Sequence, residues 1–491
     1  MSVAPPRCFQ GQFLLSISPA DIDNRAVRGA SITRLGSVSI ARLPRLRQHD
    51  VLDADHRRIG VLLGDPVDLD RGVVVDGALV LPAPLSGDID TFVERHIYPL
   101  GGRFLFVLDH GNVQRLYLDA CGSHPAVFDP QTGCVASSAG LLLDVAAYEE
   151  RFRVHLYEHL KIRRDGWFPA GLTAHEGVQR LLVNHYLDLR TSVPTRHWPI
   201  RAIETTPDPD VACRRIIAMT RCAIDAFLRT GPLAMSLTAG NETRLLLAAV
   251  RDISRKIDLV TVDHWEGRLD RVRAQELAER FGLRHRCLPA VTATPEQAED
   301  WHARSGHCIG GPNMVSHPTV EQLSSASFFV GGMGGEIGRG FFWRPTDKVT
   351  TLVSATNLVS RFGMPPHDEV IDAVESWLTH LPEGIDTFLL LDLAYLELRM
   401  GPWAFAQTPG TLPVREAHPL ISRRSFEDML SLPPEWRASN RMILRSIELH
   451  WPELLELPIN RFGDWRDPAR QIERAVRRPH LVVKRLRKRF G

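Results

Sequence analysis

The chain has 491 residues, 44% hydrophobic and 24% charged, which excludes a disordered or fibrous protein and, at roughly 150 residues per domain, implies two or three domains. Its 59 Lys and Arg nearly cancel 58 Asp and Glu, so the basic excess of a nucleic-acid-binding protein is missing. Seven scattered cysteines with no Cys-x-x-Cys pair argue against a disulfide framework or a zinc ribbon and for a reducing, cytoplasmic setting.

From Cys8 to Asp188 short apolar runs, FLLSI, IGVLLGD, GVVVDGALVL, RFLFVLD, RLYLD and CVASSAGLLLD, alternate with turn residues. Runs of that length rich in aromatic and β-branched residues predict strands of an antiparallel system. The stretch RTSVPTRHWPIRAIETTPDPD (Arg190 to Asp210) is rich in Pro, Thr and charge without periodicity, as a connection between domains is. The first domain is therefore expected over 1–195.

Beyond it the period turns helical. Val211 to Arg229 carries apolar residues at i, i+3 and i+4, followed by PLAMSL, ETRLLLAAVRDI, IDLVTV and RVRAQELAERFGL. Strands alternating with helices predict βαβ units and a parallel sheet. From Asp368 to Trp451 helical patterns such as TFLLLDLAYLELRMGPWAFAQ dominate and predict a helical lobe. This second domain is expected over 205–470, with a basic tail over 471–491 that carries seven Lys or Arg between Arg477 and Arg489 and reads as a solvated end. No secretory leader and no apolar run of about 18 residues is found, so no membrane span is expected.

The segment AMSLTAGNETRLLLAAV (Ala234 to Val250) is a short apolar run, a small polar loop and an apolar helix. Small residues let a backbone approach a phosphate, the first turn of a helix offers unpaired N–H groups, and hydroxyls add donors. Alone, such a strand-to-helix turn is weak evidence. Its sequence TAGNET resembles, position for position, the S-G-G-x-D-S pyrophosphate loop of the asparagine synthetase family. Further landmarks follow in order: LVTV with Asp270 behind it, FFVGGMGGEIGRGFF against the family's S-G-E-G-A-D-E segment, and EAHPLISRRSFEDMLSLPPEWR against its P-F-L-D stretch. In the first domain GGRFLFVLD, RLYLDACGSHPAVFD and GVQRLLVNHYLDL resemble a class II glutamine amidotransferase. The resemblance spans roughly residues 100 to 465.

The resemblance implies an α/β protein. Its N-terminal half would be a degenerate αββα sandwich of the N-terminal-nucleophile (Ntn) type, and its second half a parallel-sheet ATP-pyrophosphatase domain with a C-terminal helical lobe. It implies ATP and Mg²⁺ as cofactors. Thr238, Ala239, Gly240 and Thr243 would cradle phosphate, Leu237, Val262, Val330 and Gly331 would border adenosine, and Glu242 would be the metal-linked carboxylate. Glu242, Glu336, Glu416 and Arg461 are the candidate catalytic residues.

The departures carry as much information. Glu242 stands for the family's Asp, one methylene longer, and Mg²⁺ requires tight octahedral geometry. Gly332 and Gly335 stand where the family has acids, with Glu336 retained. Glu416 lies one position from the family's glutamate, as a substitute acid or base or as an exposed charge. Arg461, in PINRFG, is near the place of a family Lys, although Arg and Lys differ in geometry and hydration. The N-terminal nucleophilic Cys is missing, since Ser2 follows Met1 and Cys8 is internal, and the glutamine-binding loop has no counterpart. His302, His307 and Cys308 read as ordinary polar or packing residues.

These features lead to an ATP-dependent ligase that adenylates a carboxylate and forms an amide with a substrate amine, without glutamine hydrolysis. Its substrates would be small-molecule or peptide carboxylates and amines. The alternatives are a non-catalytic nucleotide-binding relative and a glutamine-hydrolysing asparagine synthase.

Overall fold

A computed structural model describes residues 5–6, 8–24, 29–164, 166–264, 267–406 and 414–468; Ser2 and the basic tail lie outside the described residues. The protein is mixed α/β, with two antiparallel-rich sheets in the first half and one parallel sheet in the second.

Alternation along the Leu100–His110 strand shows how the first half is layered. Leu105 and Val107 pack into the main core with Leu14, Leu15 and Ile40 of the six-stranded sheet. Phe104, Phe106 and Leu108, pointing the other way, pack with Phe92 and Val93 of the Ile89–His96 helix. A strand buried on both faces in this way places one sheet against another and a helix on the outside. The short helices Pro19–Asn24 and Ala139–Leu142 lie against the six-stranded sheet.

Two expectations change here. CVASSAGLLLD is a strand only over Cys134–Ala136, and its apolar second half forms the Ala139–Leu142 helix. A four-residue apolar run does not by itself distinguish the two states. The Arg190 to Asp210 connection contains a strand, Val193–Arg196, which pairs with His185–Asp188; tertiary pairing overrides its poor strand composition. A 22-residue helix then begins at Pro209, capped by Asp208, whose side chain accepts from the N–H of Asp210 and Val211, the N-terminal signal of an acidic cap followed by proline.

The parallel sheet runs in the order His285–Pro289, Asp258–Asp263, Leu233–Ser236, Phe328–Val330, Arg415–Ala417. The first strand in sequence is therefore central, and the order reverses between Leu233–Ser236 and Phe328–Val330. Helices Asn241–Ala249 and Arg268–Phe281 follow the first two strands, the second ending at Gly282 with φ +62°, a left-handed residue that closes a helix without Cβ strain. The Pro209–Thr230 helix packs on Asn241–Ala249, Arg423–Leu430 and Arg441–His450.

A buried polar network joins the halves. Glu397 accepts from Arg196 at 2.7 and 2.8 Å, from Asn184 at 2.8 Å and from Trp377 at 2.6 Å. Full satisfaction is what makes a buried carboxylate tolerable. Among the described residues no helix is long and apolar enough to cross a membrane.

Candidate active site

In an open parallel sheet the loops that leave the strand C-termini diverge where the strand order reverses, leaving a crevice for ligand. Here that place lies between the loops 237–243 and 331–335. The Leu233–Ser236 strand is almost wholly buried, as parallel strands covered on both faces are. Buried strand and helix together fix the position of the polar loop between them.

The loop is tied from within. Thr238 Oγ1 and Thr243 Oγ1 are 2.8 Å apart, Thr243 Oγ1 accepts from the Thr238 N–H at 3.2 Å, and Thr238 Oγ1 accepts from the Gly240 N–H at 3.0 Å. Asp270 Oδ1 accepts from the Ala239 N–H at 2.9 Å, and the Ala239 carbonyl accepts from the Asn460 N–H at 2.8 Å. Gly240 caps the Asn241–Ala249 helix with no side-chain acceptor, so the first-turn N–H groups keep their capacity to bind an anion.

Two buried arginines place the Asn460 segment beside the loop. Arg244 donates to the carbonyls of Leu454 at 2.6 Å and Leu457 at 3.0 Å. Arg273 donates to those of Arg461 at 3.1 Å and Phe462 at 3.0 Å. Arg461 thus contributes its carbonyl to this anchorage, while the residue itself is exposed.

Glu242 lies over the crevice with Oε1 2.8 Å from Arg339 Nη2. A Cβ on Gly332 would come within 2.7 Å of Glu242 Cβ, and one on Gly335 within 2.9 Å of Glu242 Cγ. The Glu242 stem, through its Cβ and Cγ, occupies space that side chains at 332 and 335 would need. Glu336, beside this pair, accepts from the Gly334 N–H at 3.0 Å. Burial raises its pKa, and the negative charge of Glu242 raises it further.

The donor set also decides whether Mg²⁺ fits. The ion takes one or two carboxylates together with phosphate oxygens and water. Glu242 is already paired with a guanidinium, the acid expected at 335 is a glycine, and the neighbouring Glu336 is turned to the Gly334 N–H with burial favouring its neutral form. These residues do not fit a divalent site at the loop.

A cavity of about 450 Å³ opens beside the loop, lined by Thr238, Val262 and Asp270 at one end and by Glu416, Arg103 and His124 at the other. Its apolar wall includes Val260, Leu288, Trp301 and Phe329. Arg103, on the Leu100–His110 strand, and His124 come from the first half of the chain, so both halves line the space. Leu237 and Val330 belong to the core, and Gly331 donates its N–H to the Ala417 carbonyl at 2.9 Å, close to His418. Val262 alone of the four residues expected to border adenosine lines the cavity.

Glu416 is not an exposed charge; its side chain is 15% accessible. Its Oε2 is 3.6 Å from Arg103 Nη1 and 4.0 Å from His418 Nε2, and has no hydrogen-bond partner. Burial raises its pKa to about 7, against the opposing pull of Arg103. Burial likewise lowers His124 and His418 to about 3, so both rings are neutral near pH 7.

His302 and His307 lie elsewhere, in the contact between halves. His302 Nε2 is 2.7 Å from Tyr157 Oη and Nδ1 3.1 Å from the Ile309 carbonyl, and His307 Nε2 is 3.0 Å from Tyr148 Oη. Cys308 is buried.

Arg339 and Arg103 were not among the residues singled out by sequence. An arginine between glycines in GEIGRG, three residues after a retained acid, was the available signal for the first. Nothing local marks the second. No protein-family model matches the chain, and no curated protein sequence matches it.

Proposed function

We propose that this protein is an ATP-dependent, AMP-forming carbon–nitrogen ligase, similar in plan to the asparagine synthetase family and without glutamine hydrolysis. The observation that carries the reading is the single cavity connecting the Thr238 loop, at the reversal of strand order, to the buried carboxyl of Glu416. The nucleotide would lie with its phosphates at Thr238, Gly240 and the first turn of the Asn241–Ala249 helix, and its base towards Val262. A carboxylate oxygen of the first substrate attacks the α-phosphorus and pyrophosphate leaves. The amine nitrogen of the second substrate then attacks the acyl carbon, AMP leaves with the C–O bonding pair, and Glu416 Oε2 takes the proton from nitrogen. A base with pKa near ambient pH suits that task. By the same resemblance the first half is a degenerate Ntn-type sandwich whose role is to close the cavity, through Arg103 and His124.

ATP–pyrophosphate exchange over a panel of small and peptide carboxylates tests the reading. Exchange that depends on one carboxylate class supports it; no exchange with any, while ATP still binds, favours the second reading, a non-catalytic nucleotide-binding relative. That second reading draws on the Glu242–Arg339 pair and on loop N–H groups already engaged with Thr238, Thr243 and Asp270.

A further inference from the structure

We infer that Arg339 takes the place of a divalent cation at the phosphate loop, so that this protein binds a nucleoside triphosphate without Mg²⁺. The inference rests on the nucleotide reading above and concerns what neutralises the phosphates there.

Three observations support it. The loop carboxylate that would reach a metal, Glu242, has Oε1 2.8 Å from Arg339 Nη2, and a divalent ion bound to that carboxylate would sit a few ångströms from a fixed positive charge, which repels it. Positions 332 and 335 offer no second acidic ligand, and the neighbouring acid, Glu336, accepts from its own loop at the Gly334 N–H while burial favours its neutral form. Any side chain at Gly335 would begin 2.9 Å from Glu242 Cγ, and at Gly332 2.7 Å from Glu242 Cβ. Finally, Arg339 has donors to spare. A guanidinium carries five N–H groups in a planar fork suited to phosphate oxygens, and its Nε is buried with no hydrogen-bond partner. The Gly335–Arg339 turn follows the Phe328–Val330 strand, on the opposite side of the strand-order reversal from the Thr238 loop. Arg339 therefore approaches the loop from the side facing it, where a bridging ion would have to lie.

The arrangement is internally consistent. The reach of a glutamate at 242 brings its carboxylate to the arginine, and glycine at 332 and 335 leaves room for the Cβ and Cγ of its stem. In the resting protein Glu242 holds the guanidinium in place; with nucleotide present the phosphates compete for it. Charge-assisted bonds to phosphate are the stronger kind, so removal of Arg339 weakens binding, and neutralising Glu242 releases the guanidinium and strengthens it.

The experiment is calorimetric titration of the full chain with ATP, once in excess EDTA and once in millimolar MgCl₂, using the wild type, Arg339→Met and Glu242→Gln, each checked for an intact thermal transition. The expected results are dissociation constants agreeing within about twofold in the two buffers, weakening of about tenfold or more in Arg339→Met, and tightening in Glu242→Gln. ATP binding that disappears in EDTA, or a Glu242→Gln variant that loses Mg-dependent binding, overturns the inference and leaves the ligase reading intact. Metal-independent binding without pyrophosphate exchange for any carboxylate upholds the inference and removes the ligase reading. No ATP binding in either buffer overturns both.

Discussion

The two ends of the cavity differ in how closely their acids are held by a cation. At the Thr238 end the hydroxyls and loop N–H groups are partnered within the protein; Glu242 Oε1 makes no aligned hydrogen bond but has Arg339 Nη2 at 2.8 Å, and Glu336 stands beside it. At the Glu416 end a buried carboxyl oxygen has no hydrogen-bond partner, and the nearest cation, Arg103, stands 3.6 Å away. An unsatisfied buried polar atom costs about 1–3 kcal/mol, a cost that a ligand hydrogen bond would remove. On the proposed ligase reading, the Thr238 end would hold the nucleotide and the Glu416 end would be completed by the substrate.

The largest effect expected is on chemistry at the Glu416 end. Glu416→Gln should lower amide formation about 100-fold or more, the usual worth of a positioned base, while pyrophosphate exchange changes by only a few-fold. Equal loss of both would place Glu416 in nucleotide or carboxylate binding instead, and erase the distinction between the ends.

Next is stability against pH. Burial moves Glu416 from the ordinary carboxyl value of 4.5 up to about 7, with Arg103 opposing. Between those values the folded state keeps a proton that the unfolded chain has released, so stability falls as pH rises through this window and is flat above it. The full cost at pH 8 is roughly 3 kcal/mol. Urea unfolding at pH 4 and pH 8 should show a change in stability between the two pH values that is less unfavourable by about this amount in Glu416→Gln than in the wild type.

A smaller effect tests whether the Thr238 end is as tightly packed as it looks. Gly335→Ala should destabilise by about 1–3 kcal/mol, because its Cβ meets the Glu242 stem. Combined with Glu242→Ala, which removes Cγ, the cost should shrink; an additive double-mutant cycle would show that the two positions do not interact. Smallest is Thr243→Val, which removes a hydroxyl shared with Thr238 and should cost about 1 kcal/mol in thermal unfolding, with a measurable loss of ATP affinity.

Much of the loop end could be read in the chain itself. Small residues between a buried strand and an apolar helix are a local pattern, and TAGNET lies within seven residues of both elements that position it. The expectations that failed were those in which neighbours far along the chain decide the outcome. Val193–Arg196 becomes a strand because His185–Asp188 offers it an edge. GLLL becomes helical where it meets the six-stranded sheet.

What the sequence determined by itself was the alternation of elements, the polar loop at residues 238–243 and the glycines at 332 and 335, where the resembled family has acids, since periodicity and residue size are local properties. Only the tertiary structure decided what those glycines mean. Glu242 and Arg339 lie on loops after different strands, and Arg103 and Glu416 are 313 residues apart. A charge's partner, and whether water reaches it, depend on how strands are ordered in the sheet and how the two halves close, which no window of sequence contains.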